Sequence, residues 1–176
     1  MLFRSRRAGA EVAFFSPLAD EAPDAGTDAV YLPGGYPELH AGRLAANQGF
    51  LSGLRSAADR GAAIYGECGG YMVLGRGLID GDGVRHEMAG LLPLETSFAD
   101  RRLHLGYREL ALTADGPLGP RGSGFRGHEF HFASIMSEDG APPLFTCRDS
   151  TGADLGPAGC RRGPVMGSFL HLVDAA

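Results

Sequence analysis

Short apolar runs alternate with glycine- and proline-rich turns in the first half of the chain. Residues 12–15, 29–32 and 62–65 are each apolar and short enough to form a buried strand. Between the last two runs, apolar residues recur at helical spacing over 39–60, and Gly61 follows as a stop signal. Strand, helix and strand in that order predict parallel pairing with right-handed crossovers, and therefore a doubly wound α/β sheet.

The second half of the chain has a different pattern, with short apolar runs separated by Gly, Pro and Asp turns. We predict antiparallel strands packed on the parallel core, over residues 91–98, 103–112, 125–134, 144–148 and 165–171. Residues 1–10 predict the end of a helix that stops at Gly9. Because no linker, repeat or low-complexity tract interrupts the chain, we expect one domain over residues 1–176.

Composition and charge narrow the function classes. The 176 residues carry a net charge of -5, which offers no broad basic face for nucleic acid. Arginine supplies all 16 positive charges, so a P-loop lysine and a lysine Schiff base are excluded. No apolar run is long enough for a membrane span, and the three cysteines form no paired pattern. These features predict a soluble protein of the reducing cytoplasm.

The stretch 62–75 predicts a reactive cysteine. An apolar run leads into Gly66-Glu67-Cys68-Gly69-Gly70, and an apolar segment with helical potential follows. A nucleophile on a strand-to-helix turn needs small neighbours, because the turn is tight and its backbone must approach the substrate. The start of the following helix would also favour a negative charge on the sulfur. We therefore interpret Cys68 as a nucleophile.

The turn at Pro33-Gly34-Gly35 follows the predicted strand 29–32, at the sheet edge where α/β folds bind ligands. Two glycines there could turn a backbone N–H inward beside that of Gly69, and two such donors make an oxyanion hole. An ordinary glycine turn is an equally good interpretation of this motif alone.

Six histidines compete for the role of the base, and His171 fits it best. It ends the apolar run 165–170, so a late strand would carry it to the edge where Cys68 is expected. His128 and His131 would point to opposite faces of a strand, and we expect structural roles for both. The soft side chains Cys68, His128, His131, Cys160 and His171 lack close zinc-type spacing, so we predict no metal site. Cys147 and Cys160 are expected in the core.

Four motifs in order carry a family resemblance: residues 32–38, 66–70, 127–131 and 167–171. Together they resemble the class I glutamine amidotransferase domain of cobyrinic or hydrogenobyrinic acid a,c-diamide synthases. The resemblance implies a three-layer, flavodoxin-like fold with an open, mostly parallel sheet and added antiparallel strands. It also implies a glutaminase that supplies ammonia for amidation of the a and c side chains of the corrin ring in cobalamin biosynthesis.

The resemblance also assigns residues. Cys68 matches the nucleophile and His171 its partner histidine, while Gly35 and Gly69 match the oxyanion donors. Gly34 and His128 are grouped with the residues around the substrate. Three acidic residues are candidates for binding the substrate's α-amino group, and the sequence does not choose among them: Glu38, Glu67 and Glu129.

Two departures from the family pattern matter. Many class I amidotransferases carry a glutamate two residues after the histidine, whereas this chain has Val173 there. The cobyrinate group is known to lack that glutamate. No side chain is then identified that orients His171, and slow glutamine hydrolysis is expected. The chain also lacks the ATP-dependent domain of the full-length enzymes. The resemblance therefore implies a C-terminal fragment of a larger synthase, with no cofactor of its own and with ATP and Mg²⁺ confined to the missing domain.

Other interpretations stay open. The chain could be a non-catalytic or regulatory module, or the glutaminase of a related cobyric acid or cell-wall amidating enzyme. Implied partners are glutamine, the synthetase domain and a corrinoid, with no nucleic acid and no membrane. The sequence leaves open whether the corrinoid holds cobalt, and whether the protein forms a homodimer.

Overall fold

A computed structural model describes the backbone of residues 2–176 and the side chains of residues 5–176. The helices are α1 (Leu2–Arg7), α2 (Ala41–Ala46), α3 (Gln48–Asp59) and α4 (Gly69–Leu74). The strands are β1 (Ala29–Leu32), β2 (Ala63–Glu67), β3 (Gly77–Ile79), β4 (Arg85–Glu87), β5 (Glu95–Ser97), β6 (His104–Leu112), β7 (Gly124–His131), β8 (Ser134–Ser137), β9 (Pro143–Asp149), β10 (Asp154–Arg162), β11 (Val165–Ser168) and β12 (Leu170–Ala175).

Eight strands form the main sheet in the order β1-β2-β11-β10-β9-β6-β7-β12, and β4-β3-β5-β8 form a smaller sheet. The predicted parallel pairing of the first two strands is confirmed. The antiparallel strand predicted over 165–171 is instead two strands, and the first of them, β11, pairs in parallel with β2. Among the strands described, the other neighbours in the main sheet are antiparallel. The α/β class is confirmed, but the sheet is mixed rather than mostly parallel.

The two faces of the central strands are covered differently. One face packs against α2, α3 and α4, in a core that includes Phe50, Leu54 and Ile64. The opposite face, with Tyr65 and Met166, packs against side chains of β6 and β9. The sheet therefore curls onto itself, and strands cover the face where a doubly wound fold would carry helices. No helix in the described part of the chain has the length and apolar character that a bilayer crossing requires.

Several local predictions differ from the structure. Residues 12–15 form no strand: Phe14 is exposed, and Phe15 packs on Phe50 instead of pairing with a sheet edge. The helix predicted over 39–60 is two helices, because the backbone leaves helical geometry at Asn47, where ψ is 79°. The side-chain amide of Asn47 donates to the Pro17 carbonyl at 2.7 Å, which fixes the break. Residues 91–98 contain only the short strand β5.

Other predictions are confirmed. Gly61 follows α3 with a φ of +86°, and Gly9 follows α1 with a φ of +87°, as expected of glycines after a helix. Met1, which belongs to the predicted segment 1–10, lies outside the described residues.

The parallel strands place their carboxyl ends at one edge of the sheet. Leu32 and Gly66 are register partners at the ends of β1 and β2, and Glu67 pairs with Ser168 at the end of β11. One residue, Phe169, separates β11 from β12, which pairs with β7 at the far end of the sheet order. Because the sheet curls, β12 returns to this same edge and carries His171 with it.

Candidate active site

Cys68 lies in the turn between β2 and α4. Its backbone has φ 50° and ψ -103°, a conformation that non-glycine residues rarely adopt. Its N–H donates to the Ser168 carbonyl at 2.9 Å, which ties the turn to the end of β11. Its Sγ lies 3.8 Å from the carbonyl oxygen of Phe130. The predicted elbow is therefore present, with a buried thiol held between three elements.

The glycines around Cys68 are required by close packing. A Cβ on Gly70 would lie 2.6 Å from Leu32 Cβ and still closer to the Leu32 carbonyl oxygen. A Cβ on Gly66 would meet the Gly70 backbone at 2.8 Å, and one on Gly69 would meet the Gly35 nitrogen at 2.7 Å. The turn between β2 and α4 can therefore form only with hydrogen atoms at these positions.

His171 reaches Cys68 from β12, 103 positions later in the chain. Hydrogen bonding to Cys68, and then to Glu67, raises the pKa of His171 to about 9. Its ring also packs on the turn after β1, where a Cβ on Gly34 would lie 2.6 Å from the ring carbon Cε1. The structure thus brings Cys68, His171 and Gly34 together.

Glu67 lies next to the same histidine. Its Oε1 is 3.2 Å from Nδ1 of His171 and accepts from the Tyr31 hydroxyl at 3.0 Å. Its Oε2 accepts from the backbone N–H of Leu172 at 3.2 Å. The sequence offered Glu67 only as one of three ligands for an α-amino group, and it left His171 without an orienting side chain. One feature of the sequence could have indicated this contact: Glu67 is a carboxylate at the end of a buried strand, directly before the cysteine.

His128 lies beside His171 on the sheet. The two residues are register partners on β7 and β12, and their rings stack with centroids 4.8 Å apart. Burial, together with the nearby charge on His171, holds the pKa of His128 below its usual value. His128 therefore contacts the candidate site, whereas His131 points to the opposite face as the alternation predicts.

The backbones of Gly35 and Gly69 are neighbours, as the contact between a Gly69 Cβ and the Gly35 nitrogen indicates. Within residues 2–176, the backbone hydrogen bonds outside the helices and strands do not use the N–H of either glycine. Two such donors next to the Cys68 thiol could hold a negatively charged oxygen.

Glu129 lies away from this group, on the other face of β7. Its Oε2 accepts from Arg108 at 2.7 Å and its Oε1 lies 2.9 Å from Nε2 of His131. Nδ1 of His131 lies 3.0 Å from the Ala133 carbonyl oxygen. These partners occupy the Glu129 carboxylate, so the structure gives no reason to place a substrate amine there.

The same cluster has atoms that could hold a metal ion. The ligand atoms of His104, Glu129 and His131 lie within 4.8 Å of one another. The two imidazole rings stack in parallel at 4.5 Å, so their nitrogen lone pairs lie in separate planes. Arg108 already supplies a positive charge to the carboxylate. We therefore interpret the cluster as a partly buried polar network.

This network predicts a pH-dependent contribution to stability. Hydrogen bonds from His131 and Arg108 lower the pKa of Glu129 from 4.5 to about 2. A lowered folded-state pKa stabilises the protein above the unfolded value, and that contribution is lost as the pH falls from 4.5 towards 2. We expect Glu129→Gln to cost up to about 3 kcal/mol at neutral pH. Urea unfolding at several pH values should show this difference shrinking below pH 4.5; a constant difference would contradict the assignment.

Glu38 lies in a separate groove. Its side chain lines a cavity of about 480 Å³ together with Asp80, Asp82 and Arg101. Burial raises the pKa of Glu38 above its usual value, and within the described residues its Oε2 is buried without a hydrogen-bond partner. The structure therefore does not join the Glu38 carboxylate to the Cys68 group.

The other two cysteines are poor nucleophiles. Both are buried and unpaired, as predicted. Burial raises the pKa of the Cys147 thiol and raises that of Cys160 to about 11. Tyr71 also donates to the Cys160 sulfur at 3.3 Å. Because the thiolate is the reactive form, neither side chain competes with Cys68.

Comparisons with known proteins identify the family of this chain. Residues 6–175 match the family described as CobB/CobQ-like glutamine amidotransferase domain. A hydrogenobyrinate a,c-diamide synthase from Sinorhizobium sp is 59% identical over 180 residues, covering 100% of this chain and 40% of that protein. Its counterpart in Brucella abortus biovar 1 (strain 9-941) is 60% identical, covering 96% of this chain and 38% of that protein. The chain thus spans about two-fifths of the length of these relatives.

Solved structures support the fold. A glutamine amidotransferase from Thermotoga maritima superposes with a TM-score of 0.61 at 17% identity, covering 97% of this chain and 68% of the other. The glutaminase domain of Trypanosoma brucei CTPS, solved with bound acivicin, superposes with a TM-score of 0.53 at 11% identity, covering 95% of this chain and 75% of the other. At these identities the likeness concerns the fold alone.

Proposed function

Because the chain belongs to the CobB/CobQ-like glutamine amidotransferase family, we propose that it is a glutaminase with Cys68 as its nucleophile. One observation carries the proposal: a buried cysteine in a strained turn contacts His171, beside two backbone N–H groups that have no partner among the described residues. Nucleophile, proton carrier and oxyanion donors are the parts that acyl transfer from an amide requires.

The proposed reaction begins with attack of the Cys68 sulfur on the side-chain amide carbon of glutamine. The oxygen of the tetrahedral intermediate accepts from the N–H groups of Gly35 and Gly69. His171 donates a proton to the departing nitrogen, and ammonia leaves behind a thioester. Water then attacks the thioester, with His171 taking its proton, and glutamate is released. A raised pKa suits His171 as the proton donor to the departing nitrogen, because the ring carries its proton at neutral pH.

We further propose that the ammonia serves an ATP-dependent amidation of the a and c carboxylates of a corrinoid in cobalamin biosynthesis. The relatives' names support this use, and they favour hydrogenobyrinate, the metal-free corrinoid. The synthetase part, with its ATP and Mg²⁺, would belong to the remaining length of such proteins. This chain has no lysine, and its Gly34–Gly35 turn packs on His171 and Gly69, so its residues do not fit a nucleotide site. Its unpaired cysteines suit the reducing cytoplasm.

An exposed apolar face next to the site fits a partner domain. By register, Leu105 and Tyr107 of β6 share a sheet face with Phe130 and His128 of β7. Leu105 is 63% exposed and Tyr107 is 77% exposed, although both are large and apolar. A surface of this kind marks an interaction site more often than a free surface. Its position beside His128 and His171 suits a domain that receives ammonia from Cys68.

Covalent trapping tests the glutaminase proposal. Incubation with acivicin, an electrophilic glutamine analogue, is expected to add one adduct per chain and to block glutamate release from glutamine. Peptide mass spectrometry should locate the adduct on Cys68. Saturating glutamine should protect the thiol, because both molecules occupy the same site. Modification of Cys147 or Cys160 in place of Cys68 would refute the assignment.

A further inference from the structure

The carboxylate of Glu67 is buried, with the residue only 4% exposed. A charge at that depth is tolerated only with several hydrogen-bond donors. Among the described residues Glu67 has three, from two strands: Tyr31 on β1, and the His171 ring and the Leu172 N–H on β12. Two of the three donors belong to His171 and the residue after it. The carboxylate therefore bonds both the ring of the histidine and the strand that carries it.

We propose that Glu67 is the positioning residue of His171 and takes the place of the acid missing at position 173, an inference that rests on the proposed glutaminase function. Val173 cannot serve, because it has no polar atom in its side chain and is 63% exposed. In this arrangement the acid directly precedes the nucleophile in the sequence. Both side chains reach the same ring because the backbone reverses at Cys68.

The chemical consequence follows from the two ring nitrogens. Nδ1 of His171 donates to the Glu67 carboxylate, which fixes the tautomer and leaves Nε2 for Cys68. The negative charge also stabilises the protonated ring that must donate to the leaving ammonia. The sequence alone predicts slow turnover because it identifies no acid that orients His171, and the Glu67 contact removes the basis of that prediction.

Among the described residues, four titratable groups surround His171. Cys68 and Glu67 approach it from the end of β2, His128 stacks on it from β7, and Tyr31 acts through Glu67. Hydrogen bonds to Cys68 and Glu67 raise the pKa of His171, whereas burial opposes them. His128 has a lowered pKa, so it adds no competing charge when His171 is protonated.

The test is Glu67→Gln, which keeps the size of the side chain and removes its charge. We expect kcat for glutamine hydrolysis to fall about 100-fold, with KM changed less than about 3-fold, because substrate binding is untouched. Activity that needs protonated His171 is lost as the pH rises through its pKa. Removing the carboxylate lowers that pKa, so the basic limb of the kcat profile should move to lower pH by about one unit or more.

The matched control is Glu95→Gln. Glu95 lies on β5, outside the candidate site, and its carboxylate bonds the Arg85 side chain at 3.0 Å. Removing this carboxylate should leave both kcat and the pH profile unchanged. Full activity and an unshifted profile in Glu67→Gln, in a chain whose Cys68→Ala variant is inactive, would overturn the inference while leaving the glutaminase proposal intact.

A second measurement keeps the inference testable if Glu67→Gln does not fold. Ring titration of His171 in the Cys68→Ala chain, followed by NMR with labelled histidine, requires no turnover and removes the contribution of Cys68 to the pKa of the ring. A His171 pKa above the ordinary value of 6.5 in that chain supports the Glu67 contact, and one at or below 6.5 overturns it. A wild-type chain that releases no glutamate would instead count against the proposed function, since this titration does not depend on Cys68.

Discussion

Cys68→Ala is expected to lower glutamate release from glutamine by at least about 1000-fold, to the background of the assay. The substitution removes the sulfur that contacts His171 while adding no atom, so the fold should persist. The measurement compares initial rates of glutamate formation by wild type and variant at matched concentration, with circular dichroism to verify folding.

Cys147→Ala is the matched control for this loss. Cys147 is also buried and unpaired, but it lies on β9 in the second core cluster, away from His171. Its removal should leave the rate within about 3-fold of wild type. Equal glutamate release by wild type and Cys68→Ala would end the catalytic claim and favour a non-catalytic or regulatory module on the same fold.

Gly70→Ala is expected to cause the largest loss of stability among small substitutions at the site. The added methyl would overlap the Leu32 carbonyl and Cβ, and Leu32 is held in the sheet by its pairing with β2. Neither backbone can move aside without breaking the turn. We expect a cost of about 3 kcal/mol or more, and a melting temperature lower by roughly 6–12 °C.

Gly35→Ala provides the comparison for Gly70→Ala. A Cβ at Gly35 meets nothing within 4 Å, although the residue lies in the turn that packs on Gly69. Its melting temperature should therefore stay within about 2 °C of wild type. Equal melting temperatures for the two variants would show that the elbow tolerates a side chain, and the packing argument for the glycines would fail.

The local parts of the site were predictable because each is encoded by adjacent residues. Apolar runs before Pro33 and Gly66 predicted β1 and β2, and the glycines around Cys68 predicted the elbow that the structure contains. The four ordered motifs predicted the family. The spacing of apolar residues also predicted most strands in the second half of the chain.

Other elements were missed because their local signals were mixed. Strand β10 contains Pro157 between Gly156 and Gly159, both with positive φ, and such residues normally indicate a loop. It forms a strand because β9 and β11 pair with it on both sides. The helix break at Asn47 likewise depends on the distant Pro17 carbonyl, which no helical periodicity reveals.

The sequence by itself determined the α/β class, the glycine-flanked turn at Cys68 and the family, since these depend on residue types and short spacings. Only the tertiary structure decided that Glu67 bonds His171 and that Glu38 and Glu129 lie elsewhere. Residues 67 and 171 are 104 positions apart, and they meet because the sheet curls until β12 returns to the end of β2. The curl follows from strand pairings between distant segments, and a pattern read along the chain does not contain them.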